Sequence, residues 1–64
     1  MMNLIGQAIR HNNYGKGVVI DMSPGNLTVC FADGDREFSF PDELGNTLTL
    51  RNRSLQKNIL EGFA

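Results

Sequence analysis

Turn-forming residues recur at short intervals over the first four-fifths of the chain, and that spacing reads as the short strands of a small sandwich or barrel. Asn12-Asn13-Tyr14-Gly15-Lys16-Gly17 forms a loop, because Asn and Gly both tolerate positive φ. Ser23-Pro24-Gly25-Asn26 is a second turn, with Pro presetting φ and Gly supplying the positive φ of a type II turn. Asp33-Gly34-Asp35 is the strongest hairpin signal, with Asp-Gly expected at the tight turn.

Between the turns lie strands at about 6–11, 18–22, 27–32, 36–40 and 47–50. Val18-Val19-Ile20 resists helix through its β-branched side chains. Alternation groups Val18, Ile20 and Met22 against Val19 and Asp21, and leaves the buried face open. Leu27, Val29 and Phe31 share one face of the third strand, and Phe38 and Phe40 share one face of the fourth. Both rows read as core. Pro41-Asp42-Glu43-Leu44 is expected to form a single helical turn closed by Gly45. Asn52 or Ser54 can cap a final helix over about 53–62. On that helix Leu55, Ile59 and Phe63 recur at i, i+4 and i+8.

The chain has 64 residues and is read as one domain, 1–64, with strands over about 6–50 and a helical tail. A domain of this size buries only about 60% of its unfolded surface, so its sites lie in grooves and loops. Six Lys and Arg against seven Asp and Glu give a net charge of −1. The basic excess that often accompanies nucleic-acid binding is missing from the total. Cys30 is the only cysteine, no apolar run approaches the roughly 18 residues of a membrane span, and the first residues lack the pattern of a secretion signal. These features point to a cytoplasmic chain without a membrane partner.

The stretch His11-Asn12-Asn13-Tyr14-Gly15-Lys16-Gly17-Val18-Val19 resembles a bacterial pattern of His, two variable residues, an aromatic, then Gly-x-Gly-x-Val. A turn, Val29-Cys30-Phe31, a Gly-containing hairpin and a closing strand follow in the same order. The whole is similar to the Tudor/SH3-like domains at the C-terminus of UvrD/PcrA-type helicases and, more loosely, to CarD-type transcription regulators. Phe38-Ser39-Phe40-Pro41-Asp42 resembles the closing segment of small barrels in a group of uncharacterised bacterial proteins. The resemblance covers about residues 6 to 50. It implies an all-β, five-stranded SH3/Tudor-like barrel, here with a short C-terminal α-helix, and a setting in transcription or DNA repair. RNA polymerase is the partner of the helicase and regulator domains.

No catalytic constellation emerges. Asp33, Asp35 and Glu37 are carboxylates at a hairpin tip, where solvation opposes split pKa values. His11 and Cys30 are too few for a tetrahedral metal site and read as a strand-end His and a small buried thiol. Gly15-Lys16-Gly17 leads into a strand, unlike a phosphate loop. No enzyme activity, metal or cofactor is expected. The reading is a non-catalytic protein-interaction module, with Tyr14 as anchor and Lys16, Asp35 and Arg36 as polar rim. The alternative is a small nucleic-acid-binding barrel using Arg10, Lys16, Arg51, Arg53 and Lys57. A third is a homo-oligomer paired through the Leu55/Ile59/Phe63 face of the C-terminal helix.

Overall fold

Each turn signal marks a chain reversal in the computed structural model, which describes residues 3–62. The strands are β1 (Ala8–His11), β2 (Gly15–Ser23), β3 (Asn26–Phe31), β4 (Gly34–Ser39) and β5 (Leu48–Leu50), followed by helix α1 (Arg53–Gly62). All five strands join one antiparallel sheet in the order β4-β3-β2-β1-β5. No helix among the described residues is long and apolar enough to cross a membrane.

The longest strand, β2, answers the question that alternation left open. Val19 pairs with Val29 but Asp21 pairs with Thr28, so Ile20 is the extra residue of a β-bulge. The bulge reverses the sense of alternation. Val19 points inward at 1% exposure, Val18 and Ile20 lie outside, and Met22 turns back to pack against the core. Neither of the two alternating sets is inside as a whole. The bulge also divides the strand's pairing. Gly15 to Val18 pair with β1, whereas Asp21 to Ser23 pair only with β3.

Inward-facing residues of all five strands meet in one core: Ile9 from β1, Val19 from β2, Leu27, Val29 and Phe31 from β3, Phe38 from β4, Leu48 and Leu50 from β5. Ile59 of α1 closes it at 0% exposure, with Leu55 half-buried beside it. Gly17 sits between Ile9 and Phe31 in register. A Cβ there would lie 2.7 Å from Val29 Cγ1 and 2.8 Å from both the Cys30 carbonyl oxygen and Phe31 Cδ1. Glycine is therefore required by close packing at this point, where φ is unexceptional.

Asn52 caps α1, its Oδ1 accepting the Leu55 N–H at 3.0 Å. The Leu55 and Ile59 face packs on the chain's own core, and Phe63 lies outside the described residues. One local expectation is corrected. At the β3–β4 hairpin Phe31 pairs with Gly34, so the turn residues are Ala32 and Asp33. Gly34 instead opens β4 with φ of +135°, a conformation that suits glycine at the end of such a turn. The single turn expected at 41–44 is present, with the Leu44 N–H donating to the Pro41 carbonyl at 3.0 Å and the Glu43 N–H to the Ser39 carbonyl at 3.2 Å. There the Glu43 side chain takes over local partners, with Oε2 accepting the Ser39 N–H at 3.1 Å and Oε1 the Thr47 hydroxyl at 2.8 Å. Gly45, at φ +81°, then turns the chain toward β5.

Candidate binding surfaces

The β1–β2 turn is organised by a histidine. His11 ends β1 at 5% exposure, and its Nδ1 accepts the backbone N–H groups of Asn13 at 2.9 Å and Tyr14 at 3.4 Å. With Nδ1 accepting, the ring proton sits on Nε2. The imidazole stacks on Phe38 at 5.0 Å and meets the Tyr14 ring at 4.6 Å. Tyr14 also packs 5.5 Å from Phe31. The guanidinium carbon of Arg36 lies 3.9 Å over the Tyr14 ring, while Nη2 of the same residue is 3.3 Å from Asp33 Oδ2. This aromatic cluster is thus covered by a cation that already has its own carboxylate.

Of the four residues expected to form a protein site, the fold brings two together. Tyr14 and Arg36 touch. Lys16 pairs in register with Arg10 on β1, and Asp35 lies opposite Cys30 on the other face of β4. An aromatic cage needs an open ring face, and Arg36 covers one face of Tyr14.

The second set of expected residues converges more fully. The β1–β2 and β1–β5 registers place Lys16, Arg10 and Thr49 in one row, and Arg51 donates its N–H to the Ala8 carbonyl one row further on. Together with Arg53 at the start of α1 these residues line a groove of about 530 Å³. Ala8, Ile9, Gly17 and Leu50 complete its wall. Four of the six cations of the chain line it, and no acidic residue does. Lys57 is not part of the wall and stands exposed one helical turn beyond Arg53.

Electrostatics makes this arrangement unfavourable for the chain alone. Arg10 and Lys16 are direct cross-strand neighbours of like charge, which destabilises a sheet. Arg53 occupies the first turn of α1, where no acidic residue stands and where the helix dipole is positive. The one ion pair among the described residues, Arg36 with Asp33, lies elsewhere. Meanwhile Asp33, Asp35 and Glu37 all lie on the β3–β4 hairpin. The net charge of −1 conceals two regions of opposite sign.

Two backbone bonds and one side chain that the sequence reading did not single out close the β5 edge beside the groove. Leu48 donates its N–H to the Glu43 carbonyl and accepts the Gly45 N–H. The Leu50 N–H goes to Oε1 of the buried Gln56 at 2.6 Å. Gln56 shares the helical face of Ile59 and Leu60 at i, i+3 and i+4, so a polar residue on an apolar stripe was the available signal.

Cys30 corrects a further expectation. The thiol is exposed, because Leu27, Val29 and Phe31 take the inner face of β3. Hydrogen bonding with Asp35, then desolvation and the charge of that carboxylate, hold its pKa above the usual thiol value. No group of three or more His, Cys, Asp or Glu among the described residues is placed to hold a metal ion. No family model, curated protein or solved structure matches the chain.

Proposed function

We propose that this chain is a non-catalytic interaction module, built as an SH3/Tudor-like barrel, that docks an anionic partner in the groove of β1, β2 and β5. The barrel reading draws on the strand order β4-β3-β2-β1-β5 and on the bulge at Ile20, which bends β2 where it passes from two neighbours to one. The carrying observation for function is the groove itself, where Arg10, Lys16, Arg51 and Arg53 converge with no acidic residue in the wall. Like charges gathered at a cost to the fold are accounted for by a ligand that neutralises them. An acidic face of a protein, RNA polymerase among those the resemblance implies, has the required charge. The Tyr14-anchored site takes second place, since that ring already holds Arg36.

Elution from heparin resin tests the reading. Wild type is expected to need more salt than the Arg10→Gln/Arg51→Gln double variant, while Arg36→Gln elutes with wild type. Coincident elution of wild type and the double variant would remove the groove as a docking site.

A further inference from the structure

Resting on the groove reading, we infer that the anion is the phosphodiester backbone of a nucleic acid strand. Three features of the wall select this ligand. First, its polar side chains are almost all donors: three guanidiniums, one ammonium and the Thr49 hydroxyl, which can also accept. A phosphodiester offers acceptors only, whereas a peptide brings an N–H at nearly every residue that needs an acceptor. Second, the sheet edge that could supply such acceptors is already used. On the outer side of β5 the Leu48 N–H and carbonyl bond to Glu43 and Gly45, and the Leu50 N–H bonds to Gln56, so a peptide finds three of the ladder positions there already filled. Third, three of the four cations are Arg, whose planar fork matches phosphate in a bidentate way.

The groove contains no aromatic side chain, and the aromatic cluster lies on the inner-face side of β4 with Arg36. Without a stacking platform the site grips the backbone and leaves the bases unread. Arg10, Lys16, Arg51 and Arg53 each meet a phosphate, Thr49 donates between them, and binding is independent of sequence. Lys57 extends the cationic strip along α1 beyond the groove.

Fluorescence anisotropy with labelled oligothymidylate, and in parallel with labelled poly-glutamate, tests this. Four phosphate contacts at about 0.7 each give a logarithmic salt slope of roughly −3 for a single strand, or about fifty-fold weaker binding at 200 mM than at 50 mM salt. Arg10→Gln and Arg53→Gln are each expected to lower that slope by about 0.7, and a mixed-sequence oligonucleotide of the same length to bind equally well. Circular dichroism of both variants confirms that the fold is intact. Binding of poly-glutamate through the groove, with no binding of either oligonucleotide, overturns the nucleic-acid inference and keeps the anion-docking module. Failure of all three polyanions, together with coincident heparin elution, overturns both.

Discussion

The two ends of this sheet treat charge in opposite ways. At the β3–β4 end, Arg36 is paired with Asp33 and stacked on Tyr14, and Tyr14 in turn rests on His11 and Phe31. Arg36, Asp33, Tyr14 and His11 there each have an intramolecular partner. At the β1–β5 end, four cations share a groove with none of their own carboxylates. Folding alone explains the first end, since burial and pairing favour it. It does not explain the second, where moving a single carboxylate to β5 would have relieved the repulsion. The region that the chain leaves electrostatically unresolved is the one to examine for a partner.

Substitutions can break or sharpen that contrast. Gly17 belongs to both ends, as groove wall and as the gap that Phe31 fills. Gly17→Ala should cost about 3 kcal/mol, the upper part of the range for overpacking, because a backbone oxygen is among the clashing atoms. Urea denaturation measures it, and a loss below about 1 kcal/mol would mean that the strands separate easily at this crossing. Arg36→Ala removes one exposed ion pair and one cation–π contact, so a loss of about 1 kcal/mol is expected. If that variant weakened heparin binding as much as the groove variants do, the division between the two ends would fail.

Arg10→Gln should act in the other direction. Relief of the Arg10–Lys16 repulsion predicts a gain of about 0.5 kcal/mol at low salt that fades as salt is added. A salt-independent loss would instead give Arg10 a structural role. The smallest effect is chemical. Asp35→Asn removes the carboxylate that raises the Cys30 pKa, so the thiolate fraction at neutral pH rises. Alkylation by iodoacetamide should then be faster in the variant, with its midpoint at lower pH. Equal rates at every pH would uncouple Cys30 from Asp35.

Much of the framework was legible locally. The turns at 12–14 and 23–26, the inward row Leu27, Val29 and Phe31, and the Asn52 cap all follow from residue-by-residue preferences. The hairpin at Asp33-Gly34 was misplaced by one position, because cross-strand pairing sets the register and the Asp-Gly preference yields to it. The buried thiol expected at Cys30 failed for a related reason. A strand apolar on both sides gives no sign of which face is covered until the rest of the sheet is in place.

The candidate site was legible as a set of residues but not as a place. Arg10, Lys16, Arg51 and Arg53 could be named from charge alone, yet the total of −1 argued against using them. Tyr14 and Arg36 could be named as exposed groups, yet not that Arg36 covers one face of the proposed anchor. By itself the sequence determined the strands, the reversals and the capped helix, because those depend on neighbours within a few positions. Only the tertiary structure decided that a bulge at Ile20 turns Val19 inward, and that cations from the two ends of the chain meet in one groove. The first depends on the pairing of β2 with β3 and the second on the antiparallel pairing of β1 with β2 and β5, which no local rule encodes.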